Sequence, residues 1–407
     1  MRGKNTQSKN GKYDSYSIWI TIILLTSFGL IMVYSASGVQ FIGNKNYNNN
    51  SMYLFEKQLE YVIFGFIACF ILQYLDYTIL YKLSFVGYIT SVICIVALKT
   101  PLGITVKGAT RWLNLAGIQF QVAEVVKIAT IISMAYMIER FSKHLKKIQL
   151  VLLMWGMGGF LAILLLLISN DLSSSVIVLG ITFGITFVYT RQTKLHLISA
   201  GGVLAAAAFC VWLVWRDMPT ADELEQLSFR IGRIAAWLEP ERYASSQGYQ
   251  PLQALYAIGS GGFFGKGLGN SVQKIQSIPE AQNDMIFSII CEELGVLGAS
   301  MMIFLYGYLC WQLYKTAVSA TTIFGSVLAT GVLVHIGLQS FVNIAVNVNL
   351  LPNTGIGLPF ISYGGTAVLC QLVEMAMVFS VGRVIDGKGV FNPISFARHV
   401  EKTRKRR

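Results

Sequence analysis

Residues 148–168 read IQLVLLMWGMGGFLAILLLLI, a run without a single charged side chain. A helix rises ~1.5 Å per residue, so this run is about as long as the hydrocarbon core of a bilayer is thick. It therefore predicts a transmembrane helix. Nine further apolar runs of similar length occur at residues 16–37, 58–76, 79–98, 121–139, 172–190, 195–215, 286–311, 323–345 and 367–383.

The composition of the whole chain agrees with a membrane protein. Of its 407 residues, 54% are hydrophobic and only 13% are charged, whereas about 25% are charged in soluble globular domains. A soluble fold of this size needs more charge to cover its surface. A cytosolic enzyme, a nucleic-acid-binding protein and a disordered chain are therefore excluded, and we predict an all-α integral membrane protein with ten transmembrane helices.

The positive charges predict how these helices cross the membrane. With the N-terminus inside, the cytoplasmic segments hold twenty lysines and arginines and the opposite segments hold eleven. This asymmetry follows the positive-inside rule, so we predict a multi-pass protein of the cell membrane with both termini in the cytoplasm. The predicted regions are an N-terminal tail at 1–15, a ten-span domain at 16–386 and a basic tail at 387–407. The last four residues, RKRR, are expected to contact anionic lipids rather than nucleic acid.

Three polar regions are predicted on the outer side, and the first is residues 107–127, KGATRWLNLAGIQFQVAEVVK. Glu124 and Lys127 are three residues apart, so they share one face of the fourth predicted helix near its outer end. Ionisable groups there must face protein or a wet cavity, because contact with lipid costs each of them several kcal/mol. They are either a structural ion pair or the wall of a polar cavity that meets a charged headgroup.

The second region is a long loop at 216–285, between the seventh and eighth predicted helices. Residues 229–238, FRIGRIAAWL, interleave basic and aromatic side chains, which is typical of a helix in the interface. Residues 259–270, GSGGFFGKGLGN, lack the G-K-[ST] motif and the preceding strand of a phosphate loop, so we predict a tightly turning or re-entrant segment. At the end of the loop, Asp284 either caps the eighth helix or takes part in chemistry.

The third region is residues 347–366, NVNLLPNTGIGLPFISYGGT. Its two prolines and four glycines exclude a continuous helix, yet residues such as Leu358 and Ile361 are too apolar for a loop in water. Irregular backbone at membrane depth is tolerated only where it lines a cavity within the protein. The neighbouring predicted helices contribute His335 and Glu374, which we interpret as groups that hydrogen-bond one helix to another.

These three regions, in this order on a ten-span chain, resemble the SEDS family of cell-wall proteins, which includes FtsW, RodA and SpoVE. The matching blocks are residues 108–127, 229–298 and 347–365, and PNTGIGLPFISYGG at 352–365 is close to the family signature. Residues 269–284 are more similar to the FtsW/SpoVE branch than to RodA. The resemblance implies a peptidoglycan glycosyltransferase of cell division or sporulation that polymerises lipid II at the outer leaflet. It also implies a class B penicillin-binding transpeptidase as partner, in the divisome or a related cell-wall complex.

The resemblance places the catalytic acid at Asp284 and a family block at Arg111 and Trp112. Polymerisation requires the 4-hydroxyl of one disaccharide to attack the anomeric carbon of another, and a carboxylate can take the proton of that hydroxyl. Pyrophosphate is already a good leaving group, so positive charge is needed there rather than a second acid. We expect Asp284 to be the general base, and Arg111 and Lys127 to hold the pyrophosphate. The residues predicted to bind substrate are Arg111, Trp112, Glu124, Lys127, Lys274, Glu280 and Ser362.

Two other functions would use the same helices. A lipid II flippase needs a cavity that opens to both leaflets and usually has internal repeats, which we do not find in the sequence. A non-enzymatic scaffold that recruits the transpeptidase would leave the outer polar regions without a role. No cofactor is expected except an optional divalent cation, Mg²⁺ or Mn²⁺, at the pyrophosphate. No group of ligands has a recognisable metal-binding spacing, and the expected ligands are membrane lipids and lipid-linked glycans.

Overall fold

Helices make up most of the part of the chain that the structure describes. The structure is a computed structural model, and it describes residues 14–37, 52–106, 108–115, 117–220, 223, 229–276 and 281–387. The predicted tails therefore lie almost entirely outside the described residues. In chain order the helices are α1 (Ser15–Ser37), α2 (Tyr53–Leu72), α3 (Thr78–Ala97), α4 (Val122–Arg140), α5 (Ile148–Ile168), α6 (Leu172–Tyr189), α7 (Thr193–Arg216), α8 (Phe229–Leu238), α9 (Tyr249–Gly261), α10 (Gln273–Gln276), α11 (Ile286–Ser319), α12 (Ile323–Asn347) and α13 (Gly365–Ile385).

Within the described residues, eight helices are long and apolar enough to cross a membrane, namely α1, α3, α5, α6, α7, α11, α12 and α13. Two more long helices, α2 and α4, have 20 and 19 residues and carry three and four charged side chains. Each of the ten predicted runs overlaps one of these helices, and the run at 148–168 coincides with α5. A helical membrane protein is therefore confirmed.

A small sheet precedes α4, and the sequence analysis did not predict it. Its strands are β1 (Gly103–Val106), β2 (Ala109–Leu115) and β3 (Ile118–Gln121), paired in the antiparallel order β1-β2-β3. Trp112 of β2 lies opposite Ile104 on one side and Gln121 on the other. Gly108 and Gly117 have φ of 76° and 88° next to the two turns, a conformation that glycine adopts without strain. Because β3 leads directly into α4, the sheet fixes where Arg111 lies relative to the start of that helix.

The centre of the bundle is formed by α11, α12 and α13, which bury a larger share of their residues than the other apolar helices do. Gly331 lets α12 approach its neighbours closely, since a Cβ there would lie 2.6 Å from Ile131 of α4 and 3.1 Å from Ile185 of α6. Helix α7 is the opposite extreme: all of its residues are described, and of these only His196 is buried. Because α12 and α13 are mostly buried, their polar side chains must find their hydrogen-bond partners inside the protein.

Helix α11 is interrupted at Gly295, whose φ is 65°. A break of this kind frees backbone N–H and C=O groups that lipid cannot satisfy. The turn that follows α9 supplies the missing partners. Four hydrogen bonds of 2.9–3.2 Å join the two segments: Val296 N to Gly262 O, Leu297 N to Phe263 O, Lys266 N to Glu292 O, and Gly267 N to Glu293 O.

Helix α9 runs beside the first half of α11. Gln250, near the start of α9, contacts Asp284, which stands just before α11. At the other end of α9, a Cβ on Gly261 would lie only 2.0 Å from Cys291 O, so the two backbones touch there. The prediction of a tight turn with close backbone contact at 259–270 is confirmed. Together α9 and the turn hold the segment before α11 in place.

Candidate active site

Asp284 is fixed through its backbone by two asparagines of α12. Its carbonyl oxygen accepts hydrogen bonds from Asn343 Nδ2 (2.8 Å) and Asn347 Nδ2 (2.9 Å). The residue at the capping position of α11 is Met285, not Asp284. Asp284 therefore stands one residue before the capping position of α11. Its side chain stands next to the irregular segment that follows α12.

That segment, residues 348–364, packs against the Asp284 carboxylate. Gln250 Nε2 donates to Asp284 Oδ1 (3.4 Å), and Asn353 Nδ2 donates to Gln250 Oε1 (2.9 Å). Gly355 is so close to the carboxylate that a Cβ there would lie 3.8 Å from Asp284 Oδ2. Asn343 also donates to Ile356 O (2.7 Å), so the same asparagine binds both the acid and the segment beside it. The sequence analysis predicted that this irregular backbone lines a cavity, and Asn353 of the segment lines the cavity described next.

A cavity of about 220 Å³ lies on the other side of Gln250, and Asp284 is not among the residues that line it. Gln250 connects the two, because it lines the cavity and also donates to Asp284. The polar side chains that line the cavity are Arg233, Ser246, Gln247, Tyr249, Gln250 and Asn353. Amides, hydroxyls and a guanidinium of this kind form the hydrogen bonds that hold a hydroxyl-rich or anionic ligand.

The charge of Asp284 interacts with that of Arg233 on α8. Burial lowers the pKa of the Arg233 guanidinium from its ordinary value, while the negative charge of Asp284 raises it and the positive charge of Arg111 lowers it. Arg111 Nε lies 3.9 Å from Asp171 Oδ2, and Arg111 Nη2 donates to Asn170 O (3.5 Å). Arg233 of α8 therefore interacts electrostatically with both Asp284 and Arg111.

Lys127 and Glu124 form a buried ion pair instead of facing this cavity. Lys127 Nζ lies 2.7 Å from Glu124 Oε1 and donates to Gln339 Oε1 of α12 (2.9 Å). His335 Nε2 lies 2.9 Å from the same Gln339 oxygen, and His335 Nδ1 lies 2.8 Å from Glu374 Oε2 of α13. The interpretation of His335 and Glu374 as a link between helices is confirmed. Among the alternatives for Glu124 and Lys127, the structural ion pair describes their geometry.

The two lysines of the turn region are also paired within the protein. Lys274 Nζ lies 2.7 Å from Glu293 Oε1, and both side chains are buried with Ser35 of α1. Lys266 Nζ lies 2.7 Å from Glu292 Oε1. The structure therefore does not bring Lys274, which the sequence analysis assigned to substrate, to the carboxylate of Asp284.

The remaining predicted site residues have different positions. Trp112 lies in the middle strand of the sheet, one residue from Arg111. Ser362 is buried, and its hydroxyl accepts a hydrogen bond from Leu358 N (2.6 Å), so it shapes the irregular segment. Glu280 lies outside the described residues. In the part of the chain that the structure describes, no group of three or more histidine, cysteine, aspartate or glutamate side chains could hold a metal ion.

Sequence reasoning missed Arg233, Gln250 and Asn353 as members of the site. The spacing of 229–238 predicted a helix in the interface, and α8 spans those residues. That pattern could not show which charge faces Asp284. The hydrogen bonds among residues 250, 284 and 353 join positions that are far apart along the chain, so no local motif records them. The sequence signal for Gln250 and Asn353 was that both are amide side chains within the matching blocks 229–298 and 347–365.

Comparisons with known proteins identify the family of the chain. Residues 15–385 match the model of the cell cycle protein family of FtsW, RodA and SpoVE. The chain is 33% identical over 378 residues to a probable peptidoglycan glycosyltransferase FtsW of Geobacter sp. (strain M18), covering 92% of this chain and 98% of that protein. It is 32% identical, with the same coverage, to stage V sporulation protein E of Bacillus subtilis (strain 168).

Two solved structures share the fold. A chain from a peptidoglycan synthase complex, described as coordinating polymerization and crosslinking, aligns with a TM-score of 0.72 at 24% identity and covers 92% of this chain and 98% of that chain. The rod shape determining protein RodA of Thermus thermophilus aligns with a TM-score of 0.63 at 23% identity, over 91% of this chain and 97% of that chain. The chain therefore belongs to the SEDS family of FtsW, RodA and SpoVE, on its FtsW/SpoVE branch.

Proposed function

We propose that this protein is a peptidoglycan glycosyltransferase that polymerises lipid II at the outer leaflet, with Asp284 as the general base. The observation that carries the proposal is the position of the Asp284 carboxylate, which Gln250 links to a polar cavity and whose charge acts on Arg233. The names of the FtsW relatives support the same activity. The names of the relatives include both FtsW and stage V sporulation protein E, so the proposed process is cell division or sporulation.

The proposed reaction forms one glycosidic bond and breaks one bond to pyrophosphate. The 4-hydroxyl oxygen of the acceptor sugar attacks the anomeric carbon of the donor, and the Asp284 carboxylate takes the hydroxyl proton. The carbon–oxygen bond to the lipid pyrophosphate breaks, and the leaving group keeps the electron pair. A carboxylate must lie within hydrogen-bond reach of the proton that it removes, so the attacking hydroxyl of the acceptor sugar would lie against Asp284.

The proposed role of Arg111 and Arg233 is to stabilise the charge on the departing pyrophosphate. Guanidinium groups form bidentate hydrogen bonds with phosphate oxygens, and fixed positive charge is most effective where solvent is excluded. Arg233 takes the place that the sequence analysis gave to Lys127, because Lys127 is paired with Glu124. A divalent cation at the pyrophosphate stays a prediction. The described residues contain no group of three metal-binding side chains, so phosphate oxygens of the substrate would have to supply most of its ligands.

We propose that ten helices cross the membrane, α2 and α4 included, with both termini in the cytoplasm. The distribution of lysine and arginine supports this orientation. It assigns Asp284, the sheet and α8 to the outer side, where lipid II would present its sugars. Charged residues in α2 and α4 are compatible with a span where they face protein, and the buried pair of Glu124 and Lys127 is one example.

The proposed partner is a class B penicillin-binding transpeptidase that crosslinks the new strand. The structural relative from a complex that coordinates polymerization with crosslinking supports this assignment. Two rival functions remain distinguishable. A flippase would move labelled lipid II between leaflets without making polymer, and a scaffold would do neither.

The test is polymerisation of lipid II by the purified protein in liposomes, with and without the transpeptidase. We expect polymer from the wild-type protein and a loss of at least 10²-fold from Asp284→Asn, which keeps the size of the side chain but cannot accept the proton. The control is the thermal stability of the variant, which we expect to stay close to that of the wild type. Near wild-type polymerisation by Asp284→Asn would refute the proposed base.

A further inference from the structure

A chain of side-chain amides leads from the backbone of the irregular segment to the Asp284 carboxylate. Gly355 N donates to Asn353 Oδ1 (3.0 Å), Asn353 Nδ2 donates to Gln250 Oε1 (2.9 Å), and Gln250 Nε2 donates to Asp284 Oδ1 (3.4 Å). We call these three hydrogen bonds the amide relay. They connect α9, the irregular segment and the acid before α11.

The direction of this relay is fixed at one end by the backbone. The N–H of Gly355 can only donate, so the side-chain atom of Asn353 that faces it must be the oxygen. The Asn353 amide nitrogen then points to Gln250, and it requires the oxygen of that amide. As a result, Gln250 presents an N–H, and not its carbonyl oxygen, to the carboxylate of Asp284.

The relay has two consequences for the acid. An N–H donated to a carboxylate favours the ionised form, which is the form that can accept a proton. It also fixes the rotation of the carboxylate, because Oδ1 is held by Gln250 while Oδ2 faces the backbone at Gly355. The backbone oxygen of the same residue is held by Asn343 and Asn347. The relay therefore completes the positioning of a group whose main chain is already fixed.

We propose that Gln250 is a positioning residue for the general base, and that Asn353 sets the direction in which its amide points. This inference rests on the proposed function, because it assigns to both residues an effect on Asp284 as the base. The Gln250 hydrogen bond of 3.4 Å is long for an amide that donates to a carboxylate. Catalytic hydrogen bonds are often long without substrate and shorten in the complex with it.

The charged groups around Asp284 are the same in every variant used to test the relay. They include Arg233 of α8, whose charge interacts with that of Asp284, and Arg111 and Asp171, which act in turn on Arg233. Gln250 of α9 and Asn343 and Asn347 of α12 also contact Asp284, and these three are neutral. Leucine is therefore the replacement of choice, because it removes the amide without adding charge.

The test is steady-state polymerisation by Gln250→Leu and Asn353→Leu, in full-length protein with its transpeptidase, at a series of pH values. For Gln250→Leu we expect kcat to fall about 10²-fold, as for a misplaced catalytic group, with a much smaller change in KM. We also expect the pH of half-maximal activity to rise by about one unit, since the carboxylate loses a hydrogen bond. Asn353→Leu should shift the same pH in the same direction by less, because the Gln250 amide then loses the hydrogen bond that sets its direction.

The matched control is Gln247→Leu, since Gln247 lines the same cavity but is not part of the amide relay. Its effect should be on KM, and its pH of half-maximal activity should equal that of the wild type. A purely structural role for Gln250 would lower the amount of folded protein without moving the pH profile. If Gln250→Leu fails to fold, Asn353→Leu alone decides, because the relay predicts a shifted pH profile for it as well.

The outcomes separate this inference from the proposed function. An inactive Asp284→Asn variant together with a Gln250→Leu or Asn353→Leu variant of wild-type kcat and pH profile would overturn the relay and leave the base assigned. An active Asp284→Asn variant would overturn both. A fall in kcat with a shifted pH profile in the leucine variants, and an unshifted profile in Gln247→Leu, is the result that the amide relay predicts.

Discussion

Lys127 Nζ lies 2.7 Å from Glu124 Oε1, one turn earlier on α4, and both side chains are almost completely buried. Removing one member of a buried ion pair leaves the other charge uncompensated, which costs about 3–5 kcal/mol. We therefore expect Lys127→Met and Glu124→Gln each to lower the thermal stability of the purified protein strongly. The double variant should be more stable than the sum of the two changes predicts. Fully additive losses would contradict a structural pair.

Lys274 offers a direct test of a structural role against a substrate role. Lys274→Met leaves Glu293 buried without its cation, so we expect loss of folded protein. Adding Glu293→Gln removes the stranded charge and should restore folding and most of the polymerase activity, measured with lipid II. If the double variant folds but makes no polymer, Lys274 contributes to substrate binding after all.

Arg233 is expected to act on the leaving group. Arg233→Gln removes a positive charge next to Asp284, and we expect kcat to fall about 10²-fold, the usual cost of losing one group that stabilises developing charge. Arg233→Lys keeps the charge but loses the planar fork, so it should recover only part of the activity. Equal activity of the glutamine variant and the wild type would exclude this role.

The break in α11 is expected to tolerate only glycine. A Cβ on Gly295 would lie 2.4 Å from Gly265 N and Phe263 O, and its φ of 65° is strained for other residues. Gly295→Ala should therefore lower the unfolding temperature clearly. Gly307, on the same helix, has no atom within 4 Å of the position of a Cβ. Gly307→Ala is the matched control, and we expect it to be neutral or to stabilise by up to about 1 kcal/mol.

The membrane-spanning architecture could be predicted because hydropathy acts locally. The run at 148–168 has no charge and became α5 without a change of boundary, and α8 likewise spans the residues predicted for an interface helix. The sheet at 103–121 was not predicted, because its glycines and polar residues also fit a bent loop. The alternation of side chains between Gly108 and Gly117 is the strand signal in this stretch.

The site was predicted only in part, because ion pairs within the protein decide which basic side chains can bind substrate. Asp284 and Arg111 were identified from the sequence, and the structure brings both near Arg233. Lys127 and Lys274 carry the same positive charge as Arg111, but each is paired with a buried glutamate. Nothing in the order of residues shows that Lys274 meets Glu293, whereas an i,i+3 pair such as Glu124 and Lys127 can be recognised by spacing.

The hydrogen bonds between the turn at 262–267 and the two halves of α11 also bear on how the protein is made. Each unsatisfied backbone group in hydrocarbon costs several kcal/mol. Insertion of α11 is therefore costly unless the backbone groups at its break have hydrogen-bond partners. The turn is synthesised before α11, because it precedes it in the chain. The backbone groups of the turn are therefore already synthesised when α11, the eighth long helix of the described chain, leaves the ribosome. They can form their hydrogen bonds with α11 as it inserts.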